Sequence, residues 1–67
     1  MTKAQRLEQY AEECARHFMA SGKPHTCRAA ALDVIEPLAV FYTQDDNISH
    51  RTVINRAIAK IDARMDW

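Results

Sequence analysis

Four side chains of metal-ligating type lie close together in the first half of the chain: Cys14, His17, His25 and Cys27. Such a Cys2His2 set can hold a tetrahedral zinc ion if all four ligands converge. The spacing argues against it. If the chain reverses at Gly22 to Pro24, Cys14 sits about 12 Å back along its helix at 1.5 Å per residue, while Cys27 lies beside the turn. Cys14 reads better as a core thiol and the two histidines as polar surface groups, so no metal site is expected. The same residues offer a Cys–His nucleophile pair, but no third group orients the base and no pocket is implied. Asp45-Asp46 matches an acid/base pair in residue type only. Adjacent carboxylates in a turn are ordinarily a solvated loop or a helix-capping cluster. Gly22 is the only glycine, which excludes a glycine-rich phosphate loop. The chain is therefore expected to be no enzyme and to take no cofactor.

Binding chemistry is better represented. Asn47-Ile48-Ser49-x2-Thr52-Val53 is laid out like the turn and early recognition helix of a helix-turn-helix motif. Asn47 tolerates a left-handed turn. Ile48 would enter the core, Ser49 would cap and Val53 would pack back. His50, Arg51 and Asn55 would then face outward, and Arg and Asn are the types that read guanine and adenine edges. Asp46 counts against this, because it falls where the motif's preceding helix buries an apolar residue, and a buried unpaired carboxylate is costly. Arg56, Lys60 and Arg64 follow at four-residue intervals along one flank, with Asp62 and Asp66 on the other. A solvated face is the simpler account of that stripe; contact with nucleic acid or an acidic partner is the alternative.

These residues need helices to position them. With 48% hydrophobic residues, one Gly and two Pro, the composition favours an all-α fold. The expected elements are three helices, possibly four, at about 3–20, 26–43 and 49–65. Thr2 can cap the first, whose stripe is Leu7, Ala11, Cys14 and Phe18 with Tyr10 and Ala15 beside it. Glu8 and Glu12 are assigned to the opposite side. Gly22 and Pro24 end it, and Thr26 caps the next. That second stripe is Ala31, Val34, Ile35, Leu38, Phe41 and Tyr42. Leu32 and Val40 fall outside it, which suits a central helix or half of a homodimer interface. Pro37 either kinks helix 26–43 or starts a new helix at its N1 position, and the flanking Glu36 favours the second solution. The third stripe is Ile54, Ala57, Ile58, Ile61 and Met65.

Sixty-seven residues make a single domain, 1–67, with a marginal core, so a partner or a second copy is expected. The net charge is zero, which argues against a free-standing DNA binder. It is unevenly spread. Residues 1–49 carry five bases against seven acids, and residues 50–67 carry four bases against two acids. No signal-peptide core and no membrane-spanning run is present, and two cysteines make no disulfide framework, so a cytoplasmic protein with reduced thiols is expected.

Residues 38–61 resemble the Hha/YmoA family, small all-helical modulators of the nucleoid protein H-NS. Leu38-Ala39-Val40-Phe41-Tyr42 is similar to the start of that family's third helix, and Asp46, Asn55, Lys60 and Ile61 fall on matching positions. The resemblance implies that Asp46 contacts basic residues of an H-NS-like partner. It departs at Asn47-Ile48-Ser49, where the family's helix runs on, and in the N-terminal half, which does not align without gaps. The expected function is a non-enzymatic transcription or nucleoid modulator that works by protein–protein contact through Asp45 and Asp46. His50, Arg51, Asn55, Arg56, Lys60 and Arg64 are the candidates for nucleic-acid contact. The alternatives are a helix-turn-helix DNA-binding regulator of a mobile element, or a small helical inhibitor of a host protein.

Overall fold

A computed structural model describes residues 1–21 and 28–64. Three helices account for most of them: α1 (Lys3–Ala20), α2 (Arg28–Thr43) and α3 (His50–Arg64). No strand occurs among the described residues, and no helix there is long and apolar enough to cross a membrane. Gly22, Pro24, Thr26, Met65 and Asp66, together with His25 and Cys27 of the conceivable zinc set, lie outside the described residues.

α1 starts at Thr2 through a reciprocal pair of bonds. The Gln5 amide donates to Thr2 Oγ1 at 3.1 Å, and the Thr2 amide donates to Gln5 Oε1 at 2.8 Å. This capping box satisfies two amides that a helix start leaves without carbonyl partners. Ala11, Cys14, Ala15 and Phe18 are fully buried along its inner face. Glu8 and Glu12 are not opposite that face, as the sequence suggested. They lie on its flank, against α3.

α2 is one helix through Pro37, so the division favoured from sequence is not found. The physical reason is where the cost falls. Proline has no amide to donate to the Asp33 carbonyl, and both Asp33 and Pro37 are exposed, so water can take the orphaned acceptor. Meanwhile Ala31, Ile35 and Ala39 hold the buried side together on either side of the proline. Phe41 was assigned to the buried stripe but is 65% exposed. Val34, Leu38 and Tyr42 pack at the edge of the core. At the last turn the buried Thr43 hydroxyl donates back to the Ala39 carbonyl at 2.7 Å, which removes its polar cost.

Ser49 is the N-cap of α3 by position, and its carbonyl accepts from the Thr52 and Val53 amides. The buried line is Val53, Ala57 and Ile61, with Ile54 and Ile58 only partly covered. Ile48, 6% exposed, plugs the core below the α2–α3 connection.

Each helix packs on the other two. Glu8 meets Arg56 and Lys60, and Glu12 meets Lys60 and Arg64, so α1 and α3 run parallel. Tyr10 stacks on Tyr42 with ring centroids 5.7 Å apart, and Asp46 farther along reaches back to Arg6, so α2 runs antiparallel to α1. The shared core mixes Ala11, Ala15, Ala31, Ala39 and Ala57 with Phe18, Ile35, Ile61 and Val53. Small side chains let helix axes approach, and the larger ones fill the space between them.

Candidate functional site

Asp46 sits in the six-residue connection between α2 and α3. Its Oδ2 accepts from the Tyr10 hydroxyl at 2.7 Å and from Arg6 Nε at 3.1 Å. Its Oδ1 accepts from the Asn47 amide at 2.7 Å and, more weakly, from Arg6 Nη2 at 3.4 Å. Only 14% of the side chain is exposed. The Tyr10 hydroxyl and the Arg6 guanidinium hold the carboxyl below the usual carboxylate range. The same hydrogen bond pushes the Tyr10 hydroxyl up, since a phenolate would face a carboxylate. Asp46 is thus a clasp between the connection and α1, and the residue on which the family resemblance turns has its charge satisfied inside the molecule. Asp45 is exposed beside it with no ion-pair partner among the described residues.

The basic stripe of α3 is also answered from within. Lys60 Nζ lies 2.6 Å from Glu8 Oε1 and 3.6 Å from Glu12 Oε2, and only 20% of its side chain is exposed. Arg64 Nη2 donates to both oxygens of Glu12 at 2.7 Å. Arg56 reaches Glu8 at 3.7 Å. The Lys60 hydrogen bond lowers the Glu8 carboxyl, and the Arg64 hydrogen bond lowers that of Glu12. A phosphate approaching this flank would compete with two carboxylates already in place.

Arg51 and Asn55, four residues apart, are exposed on a different side of α3, and His50 is exposed at its first turn. The six residues expected to touch nucleic acid therefore do not share one face. Ile48 and Val53 are buried as a helix-turn-helix requires, but the connection is longer than the three or four residues usual for that motif. An open cleft of about 510 Å³ lies between the first turns of α1 and α3, lined by Lys3, Ala4, Leu7, Ile48, Ser49 and Thr52. Lys3 is its only titratable lining group, beside the Ser49 and Thr52 hydroxyls.

The Cys14 thiol is buried in the core, and burial pushes its pKa up to about 11, so it stays protonated and unreactive near neutrality. Among the described residues no three His, Cys, Asp or Glu side chains are grouped to hold a metal ion.

The outer face of α2 was read from the sequence only through Leu32 and Val40, as part of a central helix or half of a homodimer interface. Leu32, Val40 and Phe41 are exposed there, and the exposed carboxylates Asp33 and Glu36 lie between them. Neither carboxylate has an ion-pair partner among the described residues, whereas Glu8, Glu12, Glu13 and Asp46 all do. Leu32 and Val40 stood out in the sequence for lying off the buried stripe. The signal overlooked was that two acids share their face.

No protein-family model, curated protein or solved structure matches the chain. The likeness to the Hha/YmoA family rests on residues 38–61 alone.

Proposed function

We propose that this protein is a non-enzymatic, cytoplasmic modulator of a transcription or nucleoid protein, acting through protein–protein contact in the manner of Hha. The observation that carries this reading is a contrast between two charged surfaces. Arg56, Lys60 and Arg64 are met by Glu8 and Glu12, whereas Asp33, Glu36 and Asp45 have no ion-pair partner among the described residues and stand in water. Unpaired acids favour a basic protein partner and repel nucleic acid. In this reading Asp45 contributes charge directly, and Asp46 contributes by fixing the connection that presents it.

Titrating the purified protein onto DNA carrying an H-NS-like protein tests this. The nucleoprotein complex should gain mass at concentrations that leave naked DNA unshifted, and Asp45→Asn should weaken the effect. Asp45 is the cleaner probe, because Asp46→Asn also opens the clasp. Loss of the effect only with Asp46→Asn, together with a lower Tm, would remove Asp45 from the site. No added mass with the native chain would refute the reading.

A second reading is a direct DNA binder that uses His50, Arg51 and Asn55. Their exposure at the start of α3, above the buried Ile48 and Val53, favours it. It requires that a pool of random duplexes yield a preferred sequence and that Arg51→Ala reduce that binding.

A further inference from the structure

We infer that the outer face of α2 is a seat for one amphipathic, basic helix of a partner protein. The face consists of two rows of residues four apart: Leu32, Glu36 and Val40 in one, and Asp33, Pro37 and Phe41 in the other. Such rows are the ridges between which a second helix lays its own ridge. The first row is apolar at both ends and the second at its far end: Leu32 is 36%, Val40 45% and Phe41 65% exposed. At 1.5 Å per residue, Leu32 and Val40 are about 12 Å apart, the two-turn spacing at which helix-in-groove recognition places its anchors. Glu36 lies between Leu32 and Val40, and Asp33 heads the second row beside Leu32; both are exposed and have no ion-pair partner among the described residues.

Charge selects the occupant. A helix with apolar residues two turns apart and Lys or Arg between them would cover the apolar ends and neutralise both acids. A second copy of this chain would do the reverse. A two-fold axis through the middle of the face sets Glu36 beside its own copy and brings both Asp33 carboxylates into the same contact. Area agrees. Sixteen residues give a strip about 24 Å long and one helix, about 10 Å, wide. That is well below the roughly 800 Å² per partner of a stable interface, and it suits a single helix held transiently.

This inference rests on the proposed regulatory reading but is tested separately from it. The probe is a synthetic helical peptide of Leu and Lys with that spacing, titrated into the isotope-labelled full chain and followed by amide chemical shifts at low salt. Binding should saturate at one to one, with shifts centred on residues 32–41. Asp33→Asn with Glu36→Gln should weaken it about fivefold, as expected for two surface ion pairs. Val40→Ser with Phe41→Ser should weaken it while the chain stays fully folded at the assay temperature, because Val40 is outside the core and Phe41 rests only on the edge of Tyr42. Glu13→Gln with Asp62→Asn removes the same charge elsewhere and should leave affinity intact. No saturation at about 1 mM peptide, shifts centred elsewhere, or equal affinity for the Asp33/Glu36 variant would overturn the proposal. So would a native dimer, seen in sedimentation, that the Val40/Phe41 variant abolishes. In the nucleoprotein assay, an Asp33/Glu36 variant as active as the native chain sinks this inference alone. A native chain that binds the peptide yet adds no mass sinks the regulatory reading alone.

Discussion

Replacing Pro37 with Ala should stabilise the protein. Inside a helix, Pro is about 3 kcal/mol less favourable than Ala, partly through its missing hydrogen bond and partly through its ring meeting the carbonyl four residues back. In α2 that carbonyl belongs to Asp33, which is exposed, as is Pro37. The Ala variant regains that bond, but it also returns conformational freedom to the unfolded chain, which offsets about 1 kcal/mol of the gain. The balance is about 2 kcal/mol, and no core packing is lost on trimming an exposed ring. A domain of this size gains about 4–8 °C in Tm per kcal/mol, so a rise of roughly 8–16 °C is expected in thermal unfolding followed at 222 nm. Hydrogen exchange provides a second readout, because the new amide at position 37 should be protected by the Asp33 carbonyl. An unchanged or lower Tm would refute the reasoning. Proline is well tolerated at the first position of a helix, so that result would mean two helices meet at Pro37 and α2 is not continuous.

Phe18→Ala removes a fully buried ring and should cost about 3–5 kcal/mol. That is comparable to the whole stability of so small a chain, so loss of the cooperative transition is expected, while Ile35→Val should cost only about 1 kcal/mol. Acid should unfold the protein through Glu8, Glu12 and Asp46, each held below its ordinary range by Lys60, by Arg64, and by Tyr10 with Arg6 respectively. A carboxyl depressed in the folded state stabilises above its unfolded pKa, about 4, and that contribution is lost as pH falls through the folded value. Tm should hold from pH 7 to about 5 and drop below about 4; an equally steep drop in Glu8→Gln with Glu12→Gln would show that this pair is not responsible. In a Cys27→Ser background, Cys14 should resist thiol reagents at pH 8 and react readily in urea, since burial pushes its pKa up to about 11; fast labelling of the folded chain would contradict that.

Local signals in the sequence located the helices. Thr2, the Leu7 to Phe18 stripe and the Ser49 break are features of short range, and a helix responds to its own neighbours first. Ile48 and Val53 were also placed correctly, because a connection followed by a cap leaves them only one side on which to pack. Pro37 misled because local propensity does not count the tertiary packing of Ala31, Ile35 and Ala39, whose burial on both sides of the proline outweighs its cost. Phe41 misled because phase alone does not say how wide the buried stripe is, and the core ends at Leu38 and Tyr42 on that side. Asp46 was invisible as a clasp because Arg6 and Tyr10 are distant in sequence and meet it only once the bundle is assembled. The four-residue repeats of Glu8–Glu12 and Arg56–Lys60–Arg64 were both legible. Their pairing was not, since it requires knowing that α1 and α3 run parallel.

That matched repeat specifies the alignment of α1 on α3 only weakly, and the clasp sharpens it. Sliding α1 four residues, about 6 Å, along α3 would return Glu8 to a position between two cations, Lys60 and Arg64, but would leave Glu12 with Arg64 alone and strand Arg56. The fully buried Phe18, Val53 and Ile61 oppose the shift through packing. Asp46 opposes it through charge, because it has no counterpart one turn away and its bonds to Arg6 and Tyr10 form in one alignment only. The isolated carboxylate therefore acts as the index mark on a sliding scale, setting by hydrogen bonds the alignment that the core sets by shape.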